Sequence, residues 1–427
     1  MADENLLSDE FLRQLITVGE VDILIGLPTH NNARTVEPVI RAVQSSILKC
    51  FPRERAVIIN ADGGSQDGTP ELITGATIDD VSNVTKVYAL RTLHAISTRY
   101  ARAPNEGIAL QTIFSAADLL RAKACVVLSP ETTTIEPDWL QRLIRPIYQD
   151  NFDLVCPIYK RQKFEGALLR DLLYPMTRAI YGLRIREPYA SEFAISGNFA
   201  TDFISKDTWK SEWCQHGPEI ATTIAAVTGS FKVCQAFLGP KPQPDRSPRD
   251  LIGAMRRTVG AFFSSLDPTF SFWSSILGSQ TIRTLGPEWE LGEEPLRVNR
   301  KRLRDLFVTG VAELQPVYRS ILTASTLNDL QKIASLDIEQ FEYPAGLWAR
   351  TVFEFAASYH KSVINRDHIL QAMVPLYRGR TLAFLLENRN GSGDEMEARV
   401  ESLCGEFERL KPYLLEVWAD EKRGANA

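Results

Sequence analysis

The period of the apolar positions changes several times along the chain, and each change predicts an element. Leu6, Leu7, Phe11, Leu12, Leu15 and Ile16 recur at helical spacing, so Leu6–Ile16 reads as a short amphipathic helix. Short, nearly continuous apolar runs follow at Asp22–Leu27, Ala56–Asn60, Lys86–Leu90, Ala124–Leu128 and Asp153–Tyr159, and each reads as a strand. Between them lie helical patterns at Thr35–Leu48, Ile108–Leu120 and Pro137–Gln149, with a single turn at Pro70–Ile73. Unbroken apolar strands alternating with helices predict an α/β fold, a mainly parallel sheet covered by helices on both faces. Ligands of such sheets bind beyond the carboxyl ends of the strands, so the chemistry is expected in those loops.

From Phe164 to Pro240 the pattern is less regular, although the apolar run Phe231–Leu238 predicts one more strand. Pro240–Pro248 holds four prolines in nine residues and must be loop. Beyond it the pattern is helical throughout: Asp250–Leu266, Asn299–Leu322, Leu327–Leu336, Leu347–Lys361, Asp367–Leu386 and Glu395–Trp418. The expected organisation is an amphipathic helix in 1–20, an α/β domain in 21–245 and a helical region in 246–427.

Composition narrows the function classes. The 427 residues are 44% hydrophobic and 24% charged, which excludes a disordered or fibrous chain. The net charge is 48 − 53 = −5, so no overall basic field exists to hold nucleic acid or an anionic membrane. Six scattered cysteines without a C-x-x-C pair suit a reducing compartment. The acidic start Met1–Glu10 lacks the charge and apolar core of a signal peptide. No run approaches the roughly 20 apolar residues of a membrane span, so a cytoplasmic location is expected.

Two loops carry candidate chemistry. The first strand runs into Gly26-Leu27-Pro28-Thr29-His30-Asn31-Asn32, whose short polar side chains could meet a nucleoside or simply cap the next helix. The second runs into Asn60-Ala61-Asp62-Gly63-Gly64-Ser65-Gln66-Asp67-Gly68-Thr69, where glycines hold an Asp against a helix start. That carboxylate could accept from ribose hydroxyls, with exposed backbone N–H groups suited to phosphate; Asx capping of a tight turn explains it equally well.

Taken in order, these loops resemble those of nucleotide-sugar glycosyltransferases of the GT-A fold. The resemblance continues through Gly107-Ile108-Ala109, Ala124–Leu128, Glu136-Pro137-Asp138-Trp139, Ser196-Gly197 and Cys234–Gly239. It reaches Leu347-Trp348, Tyr359-His360 and Pro375–Arg380, covering Asp22 to Trp418. Together these motifs resemble the retaining enzymes that make glucosylglycerate, mannosylglycerate or glucosyl-3-phosphoglycerate. The resemblance implies a GT-A-like sheet with a helical C-terminal region, and transfer of a sugar from a GDP- or UDP-linked donor to a small hydroxy acid. It also implies a homodimer and a divalent metal, Mg or Mn, that offsets charge on the leaving diphosphate.

Carried over by position, the donor would meet Pro28, Thr29, Asn31, Asn32, Asp62, Gly63, Ser65, Gly107 and Ser129. Glu131, Arg161 and Glu219 take the catalytic positions, and Lys160, Ser196, Gly197 and Asn198 the acceptor site. The metal would fall to Glu131 and Gln243. The chain departs from the family pattern at several of these places. The Asp-x-Asp motif reads Ser129-Pro130-Glu131, the family histidine is Gln243, and a Gly-Lys-Gly reads Asn105-Glu106-Gly107. Asn198 replaces an acidic residue, and a Gly-x-Asp reads Gly217-Pro218-Glu219. Two further readings follow: a metal-independent transferase using Lys160, Arg161, Lys163 and Lys241, or a non-catalytic homologue that binds or assembles through the same pocket.

Other residues have plainer expectations. Arg297, Arg300, Lys301 and Arg304 read as the solvated face of an amphipathic helix. Tyr359, His360 and His368 fall inside helical patterns as packing or surface residues, and Trp348, Phe353 and Phe355 read as core.

Overall fold

A computed structural model describes residues 6–76, 93–100, 105–162, 164–241, 251–286 and 298–420. The described residues form two compact units. The first draws on Met1–Lys160, Tyr189–Lys241 and Ile282–Trp289, the second on Arg161–Pro188, Pro242–Thr281 and Glu290–Ala427. The sequence reading put its boundary near residue 245; in the structure the stretch 161–188 already belongs to the second unit.

The first unit is built on β1 (Ile23–Thr29), β2 (Ala56–Asp62), β3 (Leu93–Arg99), β4 (Ala124–Val127), β5 (Leu154–Lys160), β6 (Phe193–Ser196), β7 (Val233–Pro240) and β8 (Thr284–Leu285). They form one sheet in the order β3-β2-β1-β4-β6-β5-β7-β8. Every pairing is parallel except the two made by β6, which runs antiparallel to β4 and to β5. This is the GT-A-like α/β class that the sequence implied.

Helices α1 (Asp9–Val18), α2 (Val36–Cys50), α3 (Thr69–Thr74), α4 (Glu106–Leu119) and α5 (Asp138–Asp150) punctuate the strands. On one face α2 and α5 bury Val36, Val39, Val43, Trp139, Leu140 and Leu143 against Ile23, Ile25, Leu27 and Ile58. On the other, α4 packs close enough to β1 that a Cβ at Gly26 would stand 2.4 Å from the Ile113 side chain. With both faces covered, Ile23, Leu24, Ile25, Val57, Ile58 and Ile59 are fully buried, which is why these strands read as unbroken apolar runs.

Three strands differ from the sequence reading, one of them the two-residue β8, which falls where a wholly helical pattern was expected. The expected strand at Lys86–Leu90 lies outside the described residues, while the third strand of the sheet is Leu93–Arg99. Its Leu-His-Ala-Ile-Ser-Thr-Arg sequence alternates partly polar positions because an edge strand needs less apolar cover. The four-residue β6 was not read at all. It is too short to show a period and is held by pairing with β4 and β5.

The second unit is mostly helical, with Ala345–Lys361, Arg366–Glu387 and Gly393–Arg409 its longest helices. Trp348, Phe353 and Phe355 are fully buried, as expected of core aromatics. Charge is buried with them. Asp171 faces Arg380 at 3.2 Å, Arg380 also meets Glu387 at 2.9 Å, and Trp348 Nε1 donates to the Asp171 carbonyl at 2.6 Å. Arg178 bridges Glu401 and Glu408 at 2.5 and 2.6 Å, tying the helix Tyr174–Tyr181 to Gly393–Arg409. Among the described residues no helix is long and apolar enough to cross a membrane.

Candidate functional site

The carboxyl ends of β1 and β2 lie side by side, with Thr29 in register with Asp62. The Asp62 carboxylate is 2% exposed and is held by its own loop. Gly64 N and Ser65 N each donate to Oδ2 at 2.8 Å, and the Ser65 hydroxyl donates to Oδ1 at 2.5 Å. The Thr29 hydroxyl stands 2.8 Å from Oδ1 and 2.7 Å from Asn60 Oδ1. Asp62 is therefore the organiser of the loop rather than an open acceptor, which favours the Asx-turn reading of its side chain. What the loop presents outward is backbone and short polar groups.

The two loops are stitched to each other. Asn31 N donates to Ser65 Oγ at 2.8 Å, and Gln66 N donates to Asn31 Oδ1 at 3.0 Å. Asn32 N donates to Thr69 Oγ1 at 2.9 Å, and Asn32 Oδ1 accepts from His30 N at 2.8 Å. Gly63 N donates to the Thr29 carbonyl at 2.8 Å. Asn31 takes a left-handed φ of 57°, which Asn tolerates better than most residues. Hydrogen bonds from the Thr69 hydroxyl and Ala33 N hold the Asp67 carboxyl below its ordinary value. Pro28, Thr29, Asn31, Asn32, Asp62, Gly63 and Ser65 are thus brought together, as one rigid rim at the carboxyl edge.

The rim continues on either side. β3 ends at Arg99, in register with Asp62. Tyr100 follows; burial, with Asp62 and Glu106 nearby, raises its pKa, and its hydroxyl oxygen accepts from Asn105 N at 3.1 Å. Asn105 then caps α4 through Ile108 N at 3.2 Å. Gly107, in the first turn of α4, is needed for packing: a Cβ there would meet Gln215 Cα at 2.6 Å. The helix Glu212–His216 that covers it leads directly into Pro218–Thr228, whose first turn carries the half-buried Glu219.

Past β4, Ser129 Oγ accepts from Glu131 N at 3.2 Å, and the Glu131 side chain is exposed. The next residue joins a feature the sequence reading missed. Glu192, just before β6 and fully buried, accepts hydrogen bonds from the Thr132 and Tyr159 hydroxyls and pairs with Lys241 Nζ. Lys241 also lies 4.8 Å from the Tyr159 ring centroid. Burial alone would raise the Glu192 pKa, but the Lys241 charge and these hydrogen bonds bring it below the ordinary value. Nothing in a lone Ser-Glu-Phe run announces this, because its partners come from β5, the loop after β4 and the residue after β7.

Other expected site residues stand elsewhere. Ser196 ends the antiparallel β6, in register with Ala124 at the start of β4, so Ser196, Gly197 and Asn198 lie at the opposite, amino edge of the sheet. There Ser196 Oγ donates to Asp153 Oδ1 at 2.8 Å and accepts from Phe199 N at 3.1 Å. They line an open cleft of about 1160 Å³ with Asp22, Lys123 and Asp153. Arg161, in the second unit, makes a two-pronged pair with Glu187, Nε and Nη2 each 2.8 Å from a carboxylate oxygen. Lys160 closes β5 and is half-buried. Gln243 and Lys163 lie outside the described residues.

A divalent cation needs several hard oxygen or nitrogen ligands converging on one point. Among the described residues no group of three His, Cys, Asp or Glu side chains could hold one. At the rim Asp62 and Glu192 are already engaged, and Glu131 stands alone, so the described residues do not fit a metal.

The sheet and its rim define a GT-A-like α/β protein with a polar site at the carboxyl ends of β1–β4. No family model matches the chain, and no curated protein matches it. Solved structures do. One is glucosyl-3-phosphoglycerate synthase from Mycobacterium tuberculosis in complex with Mn2+, UDP and glucosyl-3-phosphoglycerate, 19% identical, covering 60% of this chain and 84% of that one at a TM-score of 0.42. Another is mannosyl-3-phosphoglycerate synthase from Rubrobacter xylanophilus, 17% identical over 61% of this chain and 77% of that one, at a TM-score of 0.42.

Proposed function

We propose that the protein is a glycosyltransferase that moves a sugar, with retention, from a nucleoside-diphosphate sugar to a small hydroxy acid such as glycerate or its phosphate. One observation carries this reading: the 28–32 and 62–65 loops are locked together at the carboxyl edge of the sheet, where open α/β sheets bind ligands. The nucleoside would rest on the rim of Thr29, Asn31, Asn32 and Gly63–Ser65, with Gly107 keeping α4 in place beside it. The diphosphate would lie toward Ser129 and Glu131, and Lys160 and Glu219 would serve acceptor and sugar. Asp62 holds the rim's shape and makes no ligand contact. The sequence motifs in their order support the same reaction class.

The test is turnover by the purified full chain with UDP- and GDP-linked glucose and mannose, offered glycerate or 3-phosphoglycerate. Release of nucleoside diphosphate together with an axial glycosidic linkage by NMR supports the proposal. Nucleotide binding without turnover of any donor would leave a binding or assembly protein in its place.

A further inference from the structure

Strands β3, β2, β1 and β4 are neighbours in that order, each about 4.8 Å from the next. In the proposed function the diphosphate lies toward Ser129 and Glu131 beyond β4, and the nucleoside rests on the loops beyond β1 and β2. A nucleotide laid across the rim in that sense carries its base outermost, toward the end of β3. The path from β4 to β3 is three spacings, about 14 Å, and a purine reaches further along it than a pyrimidine.

Arg99 stands at that far end. It is the last residue of β3, in register with Asp62, and it is exposed. Its guanidinium faces the Gly63–Ser65 turn: a Cβ at Gly64 would stand 2.9 Å from Nη2, 3.0 Å from Nε and 3.1 Å from Cζ. Gly64, at φ 89°, is therefore required twice, for its left-handed backbone and for this close approach. Because N–H bonds lie in the guanidinium plane, they run along the surface of the rim rather than into it. Among the described residues Arg99 has no hydrogen-bond acceptor and no ion-pair partner.

A fork of paired donors is matched by two adjacent acceptors. Guanine offers them in O6 and N7, on the edge away from the ribose. Adenine has an amino donor in place of O6, and uracil has no two acceptors side by side. Cytosine pairs N3 with O2, but O2 sits beside the glycosidic bond and faces back toward the ribose. We propose that Arg99 reads the base of the nucleotide, pairing its fork with O6 and N7 of guanine, so that the donor is a guanosine-diphosphate sugar. The inference rests on the nucleotide-binding reading of the rim and names the base that reading leaves open.

Calorimetric titration of the full chain with GDP, UDP, CDP and ADP, each with Mg and again in EDTA, tests it. GDP should bind about tenfold or more tightly than the other three, the scale of one bidentate base contact. Arg99→Ala should weaken GDP about tenfold and leave UDP within about twofold, so that the preference disappears. Arg99→Lys, which keeps the charge but loses the fork, should lose most of the preference too. Because Arg99 is exposed, the thermal midpoint of both variants should match the parent. On the parent itself, 7-deaza-GDP, which lacks the N7 acceptor, should bind several-fold more weakly than GDP. If another diphosphate binds as tightly as GDP, if Arg99→Ala keeps the preference, or if 7-deaza-GDP binds like GDP, the Arg99 assignment is overturned and the nucleotide reading survives. Should none of the four diphosphates bind under either condition, both fall.

Discussion

Thr29 and Asp62, neighbours in register on β1 and β2, stand with hydroxyl and carboxylate 2.8 Å apart, and Asp62 is 2% exposed. The hydroxyl has one proton and faces two acceptors, Asp62 Oδ1 and Asn60 Oδ1. This relationship turns a loop carboxylate into a structural pin, and it fixes the rim on which the proposed nucleoside rests.

Removing the hydroxyl exposes how much that pin matters. Thr29→Val leaves a buried carboxylate short of a donor and should cost about 1.5–3 kcal/mol of stability. Thr29→Ser should recover most of it. Chemical denaturation monitored at equilibrium reads both, and equal stability of the Val variant and the parent would contradict the role given to Asp62.

The Glu192 cluster predicts a larger effect with a defined pH dependence. Glu192→Ala strands Lys241 and two hydroxyls around an empty site, and breaking a buried pair in this way costs about 3–5 kcal/mol. The folded-state pKa of Glu192 lies below its unfolded value, so its ionised form stabilises the protein above the unfolded value of 4.5. That contribution is lost as pH falls through the folded value. The stability gap between the parent and Glu192→Gln should therefore hold at neutral pH and narrow only below the unfolded value of 4.5, measured as melting temperatures from pH 7 to well below that value.

Arg161 predicts a stability change where the sequence reading expected a catalytic role. With Glu187 paired at 2.8 Å on both prongs and both side chains almost wholly buried, Arg161→Ala leaves an uncompensated carboxylate. The expected loss is about 3–5 kcal/mol in the second unit, with Arg161→Ala and Glu187→Gln combined less damaging than Arg161→Ala alone. A folded Arg161→Ala variant of parental stability that loses turnover would restore the catalytic expectation.

Asp171 carries the opposite pH sign. Full burial raises its carboxyl to about 6, against the pull of Arg380, and its Oδ2 has no hydrogen-bond partner among the described residues. A pKa raised on folding favours the folded state below the unfolded value of 3.8, and that advantage is lost as pH climbs through about 6. Asp171→Asn should therefore gain on the parent between pH 4 and pH 7. Parallel melting curves across that range check it, and a difference that stays flat with pH would show that Asp171 does not titrate there.

Much of the sheet was legible because burial on both faces leaves its mark on composition. β1, β2, β4, β5 and β7 read as apolar runs since helices cover them, and their ends gave the two rim loops with Asp62 and Thr29 in place. Edge strand β3 escaped because its outer rows tolerate His, Ser and Thr. Short β6 escaped because four residues show no period. Missing β6 had a consequence at the site. Its antiparallel run sends Ser196–Asn198 to the amino edge and brings Glu192 to the carboxyl edge, reversing which end of that segment stands near the rim.

The sequence by itself determined the α/β class, the turn chemistry of the Asp-Gly-Gly-Ser loop and the aromatic core around Trp348, because local periodicity and backbone preference are written residue by residue. Only the tertiary structure decided which charges remain available. Arg161, Lys241 and Asp62 meet partners 26, 49 and 33 positions away, whereas Arg99 meets none among the described residues. Whether a charged side chain is neutralised depends on what the fold sets within about 4 Å of it, and separation along the chain carries no record of that distance.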